Sequence, residues 1–67
     1  MTIGNKIYEL RQEKQLSQMQ LAKMVGVSQK AIHYWERDVN EPKASYIVAL
    51  VKAFDISYDE FFSDITW

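Results

Sequence analysis

Residues 18–37, QMQLAKMVGVSQKAIHYWER, contain two short amphipathic segments that meet at Gly26. A glycine just after a helix adopts a left-handed conformation without a Cβ clash, so Gly26 predicts the end of the first segment. In the second segment, at roughly 100° per residue, the apolar side chains share one side of a helix. Its opposite side carries hydrogen-bonding side chains: Gln29, Lys30, His33, Tyr34 and Arg37. Such a face is typical of a helix that contacts bases and phosphates, and a solvated surface face is the alternative.

Capping signals and apolar repeats predict that the whole chain is helical. Each predicted helix follows a hydroxyl residue suited to the N-cap position, namely Thr2, Ser17, Ser28, Ser45 and Ser57. Ser17 with Gln20, and Ser57 with Glu60, also have the spacing of a capping box. The loop before the fourth helix contains Pro42, which disfavours helix at the residue before it. The sequence therefore predicts five helices and no strand.

Residue types agree with one known pattern at constrained positions across both short segments and the loop beyond. The matching positions are Ser17-Gln18, Leu21-Ala22, Val25 to Ser28, Ile32, Trp35 to Arg37 and Pro42. In these positions the chain resembles the helix-turn-helix family of phage Cro and cI repressors and their bacterial xenobiotic-response-element relatives, from about residue 3 to 62. The resemblance implies an all-α, compact five-helix, lambda-repressor-like DNA-binding domain that works as a dimer on a two-fold symmetric operator.

Length and composition set limits on the class of protein. With 67 residues, the chain is predicted to be one domain (1–67), near the size at which a single core is marginal. It has no cysteine, which excludes a disulfide framework and a Cys-based metal site. No signal peptide or apolar run of membrane-spanning length is evident. We expect a cytoplasmic protein with no cofactor, no metal, no membrane partner and no evident small-molecule ligand.

Charge is unevenly distributed along the chain, whose net charge is -1 and whose pI is about 5.7. Residues 1–43 hold seven basic and five acidic side chains, a net charge of +2. Residues 44–67 hold one basic and four acidic side chains, a net charge of -3. Because the helix-turn-helix (18–37) lies in the positive part, we expect a weakly basic DNA-binding face and a back surface that repels DNA.

Four side chains of the third helix are predicted to contact bases. Gln29 and Lys30 lie in its first turn, the part that reaches base edges in the major groove. Glutamine pairs with adenine N6 and N7, and lysine donates to guanine O6 and N7, although a contact from Lys30 to phosphate alone is the alternative. Tyr34 would pack on a thymine methyl or donate its hydroxyl to a phosphate, and a merely exposed tyrosine is the alternative. His33 stands where the resembled family often has a small polar residue.

Contacts to the DNA backbone are predicted at Gln18, Ser28, Arg37, Asn40 and Lys43. Gln18 begins a helix, where the helix N-terminus and the amide suit a phosphate. The last three residues follow the recognition helix, at positions where the resembled family contacts the backbone. Asp38 and Glu41 depart from the basic or small residues usual there. Solvated charges, or an asparagine that only stabilises a turn, are the alternatives.

Arg11 and Glu36 are predicted to pair with each other rather than with DNA. Arg11 lies beside the apolar stripe of the first helix and Glu36 lies beside Ile32, so both occupy the margin of the core. In the resembled family, an arginine and a glutamate at these positions form a salt bridge between the first and third helices. A surface pair of little consequence is the alternative.

The C-terminal helix and tail, residues 57–67, are more apolar than docking on one domain requires. Tyr58, Phe61, Phe62 and Ile65 recur at i, i+3, i+4 and i+7, and Trp67 follows. We expect Phe61 or Phe62 to enter the core and a dimerisation patch to form from Tyr58, Phe62, Ile65 and Trp67. A tail folded over its own fourth helix is the alternative.

These features predict a sequence-specific, double-stranded DNA-binding transcriptional regulator, most simply a repressor that blocks polymerase as a homodimer on a palindromic operator. A protein-interaction module, such as an antitoxin or anti-repressor, is the alternative, and the acidic C-terminal part supports it. An enzyme is not expected. His33 and Glu36 are spaced like half a metal site, but no second histidine and no cysteine completes it.

Overall fold

The computed structural model describes residues 1–66, and within this range it is helical without strands. The predicted five-helix, all-α fold is confirmed. Its helices are α1 (Ile3–Glu13), α2 (Gln18–Val25), α3 (Gln29–Glu36), α4 (Ala44–Phe54) and α5 (Tyr58–Phe62). Within residues 1–66, every helix is too short or too polar to cross a membrane.

Local hydrogen bonds explain where four of the helices begin. The N-cap hydroxyl accepts the amide hydrogen three residues on at Thr2, Ser17, Ser28 and Ser57. The first two form complete capping boxes, in which the backbone amide of the cap residue donates to the side-chain oxygen of Asn5 or Gln20. At Ser57 only one of the two predicted capping-box hydrogen bonds forms. The Glu60 amide donates to the Ser57 hydroxyl at 3.0 Å, but the exposed Glu60 carboxylate does not accept from the Ser57 amide.

The predicted N-cap at Ser45 is wrong. The helix α4 begins at Ala44, and Lys43 occupies the N-cap position without a side-chain hydrogen bond. The amides of Tyr46 and Ile47 already bond the Lys43 carbonyl, at 2.9 and 3.0 Å. Ser45 therefore lies one residue inside the helix, in an exposed first turn.

The turn between α2 and α3 depends on Gly26, which has a φ of 86° and lies in the left-handed region. The Ala22 carbonyl accepts hydrogen bonds from the amides of Gly26 and Val27, at 2.8 and 3.0 Å. These bonds end α2 and redirect the chain within two residues. The predicted role of Gly26 is confirmed.

The core lies where α3 packs against α1 and α2, and where α2 packs against α4. Phe61 is fully buried, so α5 joins this core through the anchor expected at Phe61 or Phe62. The buried apolar residues are Ile3, Ile7, Leu10, Leu21, Ala22, Ile32, Trp35, Leu50, Val51, Phe54 and Phe61. Through them α3 is packed against α1 and α2.

The segment after α5 packs against the start of the chain. The Met1 ammonium donates to the Asp64 carbonyl at 3.0 Å, and the Thr66 amide donates to the Met1 carbonyl at 3.0 Å. Nearby, the ammonium of the buried Lys6 donates to the Ser63 hydroxyl at 3.1 Å. Residues 63–66 therefore close the fold against α1 and the residues before it.

Candidate nucleic-acid interface

The helix α3 has one side in the core and one side in solvent. Ile32 and Trp35 are buried, and Ala31 is half-buried. The sequence predicted the solvent side from periodicity alone, and the structure leaves four of its five residues exposed: Gln29, Lys30, His33 and Arg37. Two turns of hydrogen-bonding side chains thus project from a helix whose other side is fixed.

Tyr34, the fifth predicted residue of this side, is half-buried and contacts both of its exposed neighbours. The Lys30 ammonium lies 5.6 Å from the centroid of the Tyr34 ring. The His33 ring lies 6.0 Å from the same ring, at an interplanar angle of 47°. Tyr34 is therefore held by contacts along α3 and is not a freely exposed tyrosine.

Arg11 and Glu36 form a bidentate ion pair between α1 and α3. The Arg11 Nε donates to Glu36 Oε2 at 2.6 Å, and Nη2 donates to Oε1 at 3.0 Å. The two side chains are only 10% and 4% exposed. Arg11 Nη1 also donates to the Leu16 carbonyl at 2.9 Å, which ties the turn before α2 to the same guanidinium. The pair thus joins α1, the α1–α2 turn and the end of α3.

The surroundings of Arg11 keep its side chain charged. The hydrogen bond to Glu36 raises the pKa of Arg11, burial acts in the opposite direction, and Coulomb attraction to Glu36 and to Tyr8 adds to the rise. The Tyr8 ring also lies 5.4 Å from the guanidinium carbon of Arg11, within cation–π range. The guanidinium therefore meets Glu36 as a cation.

Gln18 connects this ion pair to the first turn of α3, a contact that sequence reasoning missed. Its Nε2 donates to Glu36 Oε1 at 3.0 Å, and its Oε1 accepts a long 3.5 Å hydrogen bond from Gln29 Nε2. The predicted role of Gln18 was a phosphate contact, and its side chain is already engaged within the protein. A single sequence carries no signal for this bridge, because it depends on how α2 crosses α3.

Asp38 is bonded to the start of α1. It has a φ of 58°, and its Oδ2 accepts a hydrogen bond from the Thr2 hydroxyl at 2.9 Å. The first turn of a helix favours negative charge, so the carboxylate also complements α1 electrostatically. Asp38, an acidic residue where the resembled family usually has a basic or small one, thus has a structural role.

An open groove of about 500 Å³ lies between α3 and the loop that follows it. Trp35 and Tyr46 contribute tilted rings to its lining, with centroids 5.5 Å apart. Three of the predicted backbone-contact residues also line it: Ser28, Asn40 and Lys43. Gln18 and Arg37 are not among its lining residues. The structure therefore brings three of the five predicted contacts together.

The residues predicted for dimerisation are not equally available. Tyr58 is 48% exposed, whereas Phe62 and Ile65 are half-buried and pack against the core of their own domain. Phe62 meets Phe61 edge-on, with ring centroids 5.1 Å apart. Trp67 lies outside the described residues. The apolar surface left on α5 is therefore smaller than the sequence pattern indicates.

Comparison with known proteins agrees with this geometry. A family model described as Helix-turn-helix matches residues 7–61. The chain belongs to this helix-turn-helix family. The resemblance inferred from residues 17–42 is thereby confirmed, and the matched range covers α2, the turn at Gly26 and α3 in full.

Similar proteins include regulators from a phage and a bacterium. The chain is 42% identical to Repressor protein C2 of Salmonella phage P22 over 57 residues, which are 85% of this chain and 26% of that protein. It is 36% identical to the HTH-type transcriptional regulator PuuR of Escherichia coli over 61 residues, 91% of this chain and 33% of that protein. The chain spans about a quarter to a half of the length of the first curated relatives.

A solved structure shows the same fold. The crystal structure of the P22 c2 repressor protein in complex with a synthetic operator superposes with a TM-score of 0.83. It is 39% identical and covers 91% of this chain and 92% of that one.

Proposed function

We propose that this chain binds double-stranded DNA sequence-specifically and acts as a transcriptional regulator, most simply as a repressor. The observation that carries the proposal is the two-sided α3, which is fixed by Ile32, Trp35 and the Glu36 ion pair while its hydrogen-bonding side faces solvent. A helix that enters the major groove needs this rigidity, because base contacts require fixed donors. The likeness to a repressor solved with its operator supports the same function.

Base contacts belong, on this proposal, to the exposed side of α3. Gln29 is suited to adenine, and its Nε2 lies 3.5 Å from Gln18 Oε1. Lys30, His33 and Tyr34 follow on the same side.

Backbone contacts belong to the groove beside α3 and to the exposed Arg37. Lys43 supplies a positive charge to the groove, Ser28 and Asn40 supply neutral hydrogen-bonding groups, and Glu41 supplies a negative charge that opposes a phosphate. Such contacts fix the register of the helix on the duplex but do not select a sequence. Repression follows if the bound protein covers a site that polymerase needs.

Two substitutions with different expected effects test the proposal. A binding site is first selected from random DNA, and its affinity is measured by gel retardation. Gln29→Ala should cost about 1 to 3 kcal/mol on this site and relax the preference at one base pair. Lys43→Ala is the matched control: it should weaken all sequences alike and lower the slope of log affinity against log salt by about one.

The same experiment distinguishes the alternative function. If no selected duplex is retarded, the chain is better explained as a protein-interaction module, for which the net charge of -3 in residues 44–67 offers a docking surface. If duplexes are retarded but Gln29→Ala leaves the ratio of specific to non-specific affinity unchanged, α3 is not the helix that selects the sequence.

We further propose that the chain binds a palindromic operator as a homodimer, with α5 contributing to the contact. The described residues span 26 × 25 × 22 Å, less than the roughly 34 Å of one DNA turn. One domain therefore covers one half-site, and two domains related by a two-fold axis would reach successive major grooves on one side of the duplex.

A further inference from the structure

Three side chains on the outward side of α3 form a close set. The Lys30 ammonium lies 5.6 Å from the Tyr34 ring centroid, and the His33 ring lies 6.0 Å from that centroid. Long helical side chains point toward the helix N-terminus, so Tyr34 covers the turn that carries Lys30. Tyr34 is half-buried while the other two are exposed, which makes its ring the fixed member of the set.

The ring limits where the Lys30 ammonium lies. Lysine has a flexible four-carbon stem, and an unrestrained ammonium reaches either a base edge or a phosphate. The face of an aromatic ring attracts a cation, and this attraction grows when water is excluded, as it is in an occupied groove. An ammonium held over Tyr34 stays above the outward side of α3 and does not extend sideways to the flanking phosphates.

We infer that Tyr34 is a positioning residue for Lys30 and that the two side chains together select guanine at one operator position. The inference rests on the proposed DNA-binding function of α3. An ammonium has three N–H donors, and with the ring on one side, two remain for a base. Guanine suits them, because its major-groove edge presents two adjacent acceptors, O6 and N7. Lys30 is thereby assigned a base contact, whereas the sequence alone also allowed a contact to phosphate.

Three variants test the assignment by their selected sites. Tyr34→Leu keeps an apolar side chain but removes the aromatic face, and we expect it to lower the guanine preference at one position by about tenfold while other positions stay selected. Tyr34→Phe keeps the face and should retain that preference. Lys30→Met should abolish the same preference. Thermal unfolding of each variant shows whether the half-buried position 34 still supports the fold.

A chemical substitution in the DNA provides a second measurement with the unmodified protein. Replacing the selected guanine by 7-deazaguanine removes N7, and we expect weaker binding by the wild-type chain but little further change for Lys30→Met.

Two results would overturn the inference while leaving the proposed function intact. One is a folded Tyr34→Leu variant with an unchanged guanine preference. The other is a Lys30→Met variant that lowers the salt slope by about one and leaves every selected base unchanged, as a phosphate contact requires. Failure of the wild-type chain to retard any selected duplex would overturn the proposed function and this inference together.

Discussion

The Arg11 guanidinium meets the Glu36 carboxylate through two hydrogen bonds, and Gln18 donates to the same carboxylate. Both charged side chains are almost excluded from water, at 10% and 4% exposure. The pair stabilises the fold when both side chains are present. If one is removed, the remaining charge keeps its desolvation cost and loses the attraction of its partner. At the scale of residues, the orientation of α3 is thus coupled to one ion pair.

Removing either partner alone should therefore destabilise the protein, because it leaves a nearly buried charge unpaired. We expect Arg11→Met and Glu36→Leu each to lower the free energy of unfolding by more than about 1 kcal/mol. The double variant should lose less than the sum of the two, because it leaves no unpaired charge. Urea unfolding followed by circular dichroism measures all three.

Arg11→Lys is the control that keeps the charge but loses the bidentate geometry, and its free energy of unfolding should lie between those of wild type and Arg11→Met. Additive losses would show that the two side chains do not interact.

The crossing of α1 and α3 is the element-scale feature that places the recognition helix. At Gly4 a Cβ would lie 2.2 Å from the Trp35 carbonyl oxygen and 2.5 Å from Asp38 Oδ1. The first of these atoms belongs to the backbone, which cannot move without shifting α3. Gly4 therefore permits a close approach of two helices, whereas Gly26, with open space around it, permits a left-handed turn.

Substitutions at the two glycines should separate these roles. Gly4→Ala should lower the free energy of unfolding by about 1 to 3 kcal/mol through overpacking, and it should also weaken DNA binding because α3 must shift. Gly26→Ala should cost about 1 to 2 kcal/mol through backbone strain alone. Asparagine adopts the left-handed conformation more readily than alanine, so Gly26→Asn should recover part of the loss while Gly4→Asn recovers none. Equal rescue at both positions would contradict the steric explanation for Gly4.

At the scale of the whole molecule, the two ends of the described chain hold each other. The backbone hydrogen bonds of Met1 with Asp64 and Thr66, and the Lys6 bond to Ser63, occupy polar groups of the C-terminal segment. Ile65 and Phe62 are half-buried beside them. Much of the segment predicted for dimerisation thus stabilises its own domain, and Tyr58 is the predicted residue with the most exposed side chain among those described.

The proposed dimer should consequently depend on Tyr58 without the fold depending on it. We expect Tyr58→Ser to lower the dimer fraction and the operator affinity while the melting temperature stays nearly constant, because the side chain is already 48% exposed. Analytical ultracentrifugation at tens of micromolar measures the first effect. Met24→Gln, which changes a side chain that is 53% exposed on α2, is the matched control and should leave the dimer intact. A wild-type chain that sediments as a monomer at this concentration, or a Tyr58→Ser variant with unchanged dimer and affinity, would contradict the proposal.

The presence of five helices, the turn between α2 and α3, and the exposed side of α3 were all predictable from the sequence. The physical reason is that these features depend on interactions between residues close together in the sequence. Caps, a left-handed glycine and a helical repeat all act within a few positions. The residue types at the constrained positions of the helix-turn-helix also allowed the family to be predicted.

Contacts between side chains far apart in the sequence could not be predicted and required the folded structure. Gln18 bonds Glu36, Thr2 bonds Asp38 and Lys6 bonds Ser63, over separations of 18, 36 and 57 residues. Packing likewise placed half-buried Phe62 and Ile65 against the core. These contacts depend on the angles and distances at which helices cross, and such geometry follows from the packing of all five helices together, which no local pattern encodes.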